Sequence, residues 1–274
     1  MRINSIAKWR VQFGHAGLEL AGRRIGWFSL PALGVKWKSP AQASRRRWRR
    51  YITCQIDGRS AILPIMKLNP QELEKIADVT LDHYNQRADD FWEGTRDHDV
   101  SQNIETLLAH IEVPPLRPIA ILDFGCGPGR DLKVFADLGH RAVGLEGSAR
   151  FAEMARAHSR CEVLQQDFLK LNLPAAEFDG VFANASLFHV PRQELPRVLA
   201  ELRATLIPNG VLFASNPRGD NSEGWNNGRF GAYHDLAAWR GFMSGAGFAE
   251  IAHYYRPPGA PRDQQPWLAS VWRK

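Results

Sequence analysis

The chain has 274 residues, a hydrophobic content of 44% and a formal net charge of +6, so it can bury a full core. No stretch approaches 18 consecutive apolar residues, which argues against a membrane span. Its three cysteines (Cys54, Cys126, Cys161) show no Cys-x-x-Cys spacing and no zincin-type histidine pair accompanies them, so neither a disulfide framework nor a structural metal is expected, and the compartment expected is a reducing cytoplasm.

The charge is concentrated at the start. Residues 1–65 hold 13 Lys and Arg against two acids, Glu19 and Asp57, a balance of +11, whereas residues 66–274 stand at −5. The basic quarter contains four of the nine tryptophans and the run Arg-Arg-Arg-Trp-Arg-Arg at 45–50, and it shows no sustained helical or strand periodicity. A basic tail for nucleic acid and a targeting segment are both open readings. The reading favoured is a poorly structured extension, or one that is no part of the functional protein, since translation from Met66 would leave a complete domain over 66–274.

Ordinary periodicity begins near residue 70. Segment 70–93 has the apolar spacing of an amphipathic helix broken at Gly94, and a second helix is expected over 100–111, before Pro114-Pro115. Strands and helices then alternate. Strands are expected at 118–124, 141–146, 161–168, 178–185 and 210–216. Helices are expected at 129–138, at 148–158 with Ser148 as N-cap, and at 191–206. A Gly- and Asn-rich loop over 217–233, a helix over 235–244 and two strands, 248–255 and 267–273, complete the chain. Such alternation predicts an α/β fold, a mostly parallel sheet with helices on both faces.

The first strand of the alternation runs into Ile-Leu-Asp-Phe-Gly-Cys-Gly-Pro-Gly-Arg-Asp at 121–131. Gly125, Gly127 and Gly129 at alternate positions let the backbone turn tightly and a ligand approach it. Glu146 ends the next strand, where a carboxylate can accept both hydroxyls of a ribose. Asp123, beside the first glycine, repels a pyrophosphate but suits the ammonium of an amino-acid moiety. At the end of the third strand, Gln166 and Asp167 can accept the exocyclic amine of an adenine while Phe168 packs near the ring. Cys126, between two glycines, reads as a small packing residue.

This array, followed by Phe-Asp-Gly-Val-Phe-Ala-Asn-Ala-Ser-Leu at 178–187 and Pro-Asn-Gly-Val-Leu-Phe-Ala-Ser at 208–215, resembles the class I, seven-strand S-adenosylmethionine-dependent methyltransferases, with motifs in the same order over about 80–272. The resemblance implies S-adenosyl-L-methionine as cofactor and a Rossmann-like, doubly wound sheet of order 3-2-1-4-5-7-6. Its last strand would be antiparallel, and a helical cover would precede it. It also implies roles: the glycine loop under the methionine part, Glu146 on the ribose, Asp167 at the adenine amine, Asn184 beside the sulfonium. Residues 184–187 read Asn-Ala-Ser-Leu rather than Asn-Pro-Pro-aromatic, which lowers the case for a nucleic-acid base and favours a small-molecule acceptor.

Methyl transfer from a sulfonium needs position and electrostatics more than a catalytic pair; a general base is required only for an acceptor that starts protonated. His189, five residues after Asn184, is the candidate base. Tyr84, Arg96, Arg218, Trp225, Tyr233 and Arg256 are candidate substrate residues, and Arg218 with Arg256 points to a carboxylate-bearing substrate. Two other functions compete. An NAD(P)-dependent oxidoreductase of the same sheet class is disfavoured by Asp123, by the Gly-x-Gly-x-Gly spacing and by the lack of a Tyr-x-x-x-Lys pair. A nucleic-acid-binding protein, or an RNA methyltransferase, would use the basic arm. Neither a membrane nor a nucleic acid is an expected partner of 66–274.

Overall fold

The computed structural model describes residues 67–112 and 117–274, and of residues 1–66 only the backbone of five strands. β1 (Gln12–Gly14), β2 (Gly17–Leu20) and β3 (Arg23–Ile25) form an antiparallel sheet, and β4 (Tyr51–Ile56) pairs antiparallel with β5 (Arg59–Pro64). β1, β2 and β3, of three or four residues, offer at most two alternations, too few to register as a period. The remaining expectations for 1–65, and the Pro114-Pro115 linker, lie outside the described residues. The chain divides into two units between Lys67 and Leu68, and everything below concerns the second.

The helix expected over 70–93 is two helices. α1 (Pro70–Gln86) starts at a capping box in which the Asn69 side chain accepts from the Glu72 amide and Glu72 accepts from the Asn69 amide. It ends at Arg87, which is also the N-cap residue of α2 (Ala88–Thr95), a helix with Asp89 and Asp90 in its first turn, where the helix dipole favours acids. Gly94 sits inside the last turn of α2 and breaks nothing. α3 (Ser101–Ala109) follows.

The alternating part is β6 (Ala120–Phe124), α4 (Arg130–Asp137), β7 (Arg141–Glu146), α5 (Ala149–Ser159), β8 (Glu162–Gln165), β9 (Phe178–Asn184), α6 (Leu195–Thr205) and β10 (Leu206–Pro217). Ser148 caps α5 as expected, accepting from the Phe151 amide. β8 is shorter than expected because the Asp167 side chain accepts from the Leu169 amide and turns the chain.

The expected loop over 217–233 is largely a hairpin, β11 (Ser222–Asn226) paired with β12 (Arg229–Tyr233), which join through Asn227 (φ +49°) and Gly228 (φ +85°). Asn-Gly is the pair that suits a two-residue turn with both φ positive. α7 (Leu236–Gly245), capped by Asp235, leads to β13 (Ala249–Arg256) and β14 (Trp267–Arg273).

Seven strands make one sheet, in the order β13-β14-β10-β9-β6-β7-β8. Read from the β8 edge this is 3-2-1-4-5-7-6, with β14 antiparallel to both neighbours and the first five strands parallel. Side chains alternate between two cores. Leu122, Val181 and Leu212 pack on one face with α6 and α7. Ile121, Phe182 and Phe213 pack on the other with α3, α4 and α5. Both faces are covered, so β6 and β9 read as continuous apolar runs. Among the described residues no helix is long and apolar enough to cross a membrane.

Candidate active site

Where β6, β7 and β9 end, their carboxyl ends open into a cavity of about 620 Å³ roofed by α1, α2 and the β11–β12 hairpin. This is where parallel sheets hold ligands. The floor is the loop 125–129, whose three glycines answer three different demands. Gly125 (φ +77°) has no room for a side chain, because a Cβ would run into Ser186 and Phe168. Gly129 (φ +92°) lets α5 come close: a Cβ would sit 2.7 Å from the Ala155 Cα. Gly127 (φ +54°) has nothing nearer its Cβ direction than Phe91 at 4.0 Å and lines the cavity, so the backbone itself is the surface a ligand meets.

Glu146 holds the loop. Its Oε2 accepts from the Gly127 amide at 2.9 Å and its Oε1 from the Ser148 amide at 2.8 Å. Burial pushes the carboxyl up from its ordinary range, and the backbone amides pull it back down. Each oxygen keeps a lone pair for a ligand, and the residue lines the cavity. Asp167 and Phe168 line it too, with Phe168 stacked on Phe124 at 4.3 Å between centroids.

Three expected site residues fall elsewhere on this side. Gln166 does not face the cavity; its amide closes the following loop, donating to Asn172 O and accepting from the Asn172 amide. Gly129 serves helix packing. Asp123 lies behind the loop, 2% exposed, with Oδ2 unpartnered, and burial together with the Asp131 charge holds its carboxyl well above the usual range. The acid that reaches the cavity is Asp131, paired with Arg130 at 2.6 Å. Cys126 is buried, and its thiol is pushed well up by that burial, as befits a packing residue.

Asn184 does line the cavity, held by a chain of partly buried hydrogen bonds. Its Nδ2 donates to Asp131 Oδ2, its Oδ1 accepts from Asn103 Nδ2, and Asn103 Oδ1 accepts from the Tyr254 hydroxyl. Asn103 and Tyr254 carried no signal in the sequence.

On the roof, His189 and Tyr84 meet. Phe230 O lies 2.6 Å from His189 Nδ1, and a carbonyl only accepts, so Nδ1 carries the proton. Nε2 is then the acceptor for the Tyr84 hydroxyl. Burial lowers the imidazole to about 4 and raises the Tyr84 phenol to about 12. Tyr84, Phe91 and Phe151 form an aromatic wall with centroids 5.0–5.8 Å apart. The hairpin is seated on α1 through Thr80 Oγ1, which accepts from the Phe230 amide.

The other substrate candidates scatter. Arg256 lines the cavity, donating to Asp99 O. Arg96 is on the surface with Glu93 and Asp97. Arg218 donates to Arg262 O and lies over the Tyr255 ring. Trp225 is 44% exposed, and Tyr233 packs near Phe188 outside the wall. Arg229, which the sequence reading passed over, is on the wall.

Residues 122–214 match the family described as Methyltransferase domain. Together with the 3-2-1-4-5-7-6 sheet and the glycine loop, this decides the matter. The chain carries a class I S-adenosylmethionine-dependent methyltransferase domain. Its antiparallel β14 separates it from the all-parallel 3-2-1-4-5-6 sheet of dinucleotide-binding folds. The domain is similar to a ubiquinone biosynthesis O-methyltransferase from Histophilus somni, 29% identical over 55% of this chain and 65% of that protein. It is also similar to a trans-aconitate 2-methyltransferase from Azoarcus, 37% identical over 36% of this chain and 39% of that protein. The chain thus spans less than two thirds of the length of these curated relatives. Among solved structures, the fold is shared with Burkholderia thailandensis 1,6-didemethyltoxoflavin-N1-methyltransferase, determined with its acceptor and S-adenosylhomocysteine. The TM-score is 0.62 at 22% identity, over 78% of this chain and 95% of that one.

Proposed function

We propose that the chain transfers a methyl group from S-adenosylmethionine to a small-molecule acceptor in this cavity. The observation that carries the reading is Glu146. It ends β7, binds the Gly127 amide and keeps free lone pairs toward the cavity, as a ribose diol requires. The rest of the donor set fits the same cofactor. Asp167 and Phe168 form the adenine end, the bare backbone at Gly127 admits close approach, and the Arg130–Asp131 pair offers opposite charges to the carboxylate and ammonium of an amino acid.

When bound, the cofactor supplies an electrophilic methyl group on a sulfonium, which the acceptor takes by in-line displacement. The chain's own part is to position and to desolvate. The aromatic wall excludes water, which strengthens the pull between a negatively charged acceptor and a positive sulfur. Asn184, fixed by Asp131 and Asn103, holds the strand end beside the reacting atoms. His189 is neutral at pH 7, and its Nε2 accepts from the Tyr84 hydroxyl, which would pass an acceptor proton to it. The test is release of S-adenosylhomocysteine by the full chain across small acceptors. Turnover by wild type and its loss in Glu146→Ala is the expected result. No turnover with any acceptor class, in a chain that fails to bind the cofactor, contradicts the reading.

A further inference from the structure

Arg229 heads β12, directly after the Asn227-Gly228 turn, and lines the cavity. Its guanidinium carbon lies 5.8 Å from the Tyr84 ring centroid, and its Nε is buried without a partner. The other charged groups of the wall are engaged. Asp131 pairs with Arg130, Glu146 accepts from two backbone amides, and Asp167 accepts from the Leu169 amide. Asp99 accepts from Ser101, and Arg256 donates to Asp99 O. Among the described residues, Arg229 is the one Asp, Glu, Lys or Arg on this lining whose side chain makes neither a hydrogen bond nor an ion pair. A guanidinium half-withdrawn from water with no anion is costly, and a ligand that brings one offsets the cost.

We infer that the acceptor is a small carboxylic acid with a flat apolar body, its carboxylate held by Arg229 and its body against Tyr84, Phe91 and Phe151. A planar guanidinium matches a carboxylate in two parallel hydrogen bonds. One cation balances one negative charge; the rest of the lining holds Asp99, Asp131, Glu146 and Asp167 against Arg130 and Arg256, so a dianionic phosphate would add surplus negative charge. This inference rests on the methyltransferase reading and specifies its acceptor. It moves the carboxylate contact from the expected pair, Arg218, which is engaged outside the cavity, and Arg256, which donates to Asp99 O, to Arg229.

The test uses the full chain saturated with S-adenosylhomocysteine and titrated with benzoate and trans-cinnamate, each beside its neutral amide. The acids should bind at least tenfold more tightly than the amides. Arg229→Met should lose at least tenfold of acid affinity and Arg229→Lys less, with S-adenosylhomocysteine affinity equal in all three proteins as evidence of folding. Amides that bind as well as acids, an Arg229→Met protein that binds acids as wild type does, or acids that do not bind at all would overturn the inference while the cofactor reading stands. Absence of S-adenosylhomocysteine binding in wild type would instead remove the reading beneath it.

Discussion

The Tyr84 hydroxyl donates to His189 Nε2 across 2.8 Å, joining α1 to the turn that follows β9. The bond is partly buried and belongs to a chain that continues through His189 Nδ1 to Phe230 O on the hairpin. Tyr84→Phe leaves Nε2 without its donor, at a cost of about 1–3 kcal/mol in unfolding free energy. Turnover is expected to fall at least tenfold, because Tyr84 and His189 both line the cavity and the bond between them sets the position of each. S-adenosylhomocysteine affinity should hold. Denaturant unfolding and steady-state kinetics on the same preparation check both, and an unchanged kcat with unchanged stability would dismiss the pair.

Stability should fall on acidification. His189 in the folded chain takes up a proton only near pH 4, whereas the unfolded chain does so near 6.5. Unfolding therefore binds a proton in the window between, and His189 favours the folded state less as pH drops from 6.5 toward 4. The slope is about 1.4 kcal/mol per pH unit at most. His234 is lowered to about 4 by burial and by Arg192, and acts in the same direction. The stability difference between wild type and His189→Gln isolates the effect. It should shrink between pH 6.5 and 4; a constant difference would mean that His189 titrates normally.

Glycines at positive φ should respond unequally. Gly129→Ala forces a Cβ onto the α5 backbone at 2.7 Å, and Gly125→Ala forces one onto Ser186, in each case at a positive φ. Overpacking plus left-handed strain should cost about 2–4 kcal/mol. Gly139 has φ +82° but open space around it, so Gly139→Ala should cost only the strain, about 1–2 kcal/mol. Equal thermal shifts for all three would show that packing against α5 and Ser186 is unimportant.

How much of this was legible follows from the range of each signal. β7 and β14 keep their expected bounds, and the Ser148 cap holds, because alternation and capping are local. The order of the last two strands is non-local, and the resemblance supplied it where spacing did not. The hairpin was legible but passed over: Asn227-Gly228 is a strong turn signal, hidden in a segment that looked uniformly polar. With it went Arg229. The bonds that fix Asn184 were illegible, since Asn103 is 81 residues away and Tyr254 lies 151 residues from Asn103. Gln166 was misread because an amide at a strand end serves a ligand or its own loop equally well, and only the Asn172 contacts distinguish them.

The central claim is that Glu146 and the glycine loop bind S-adenosylmethionine rather than a dinucleotide. Calorimetric titration of the full chain with S-adenosylhomocysteine and with NAD tests it most directly. Saturable binding of S-adenosylhomocysteine alone is predicted. Glu146→Ala should then weaken it by about ten- to a hundredfold, the scale of 1–3 kcal/mol for hydrogen bonds to a charged group. Binding of NAD in preference, or an unchanged S-adenosylhomocysteine affinity in Glu146→Ala, would contradict the account.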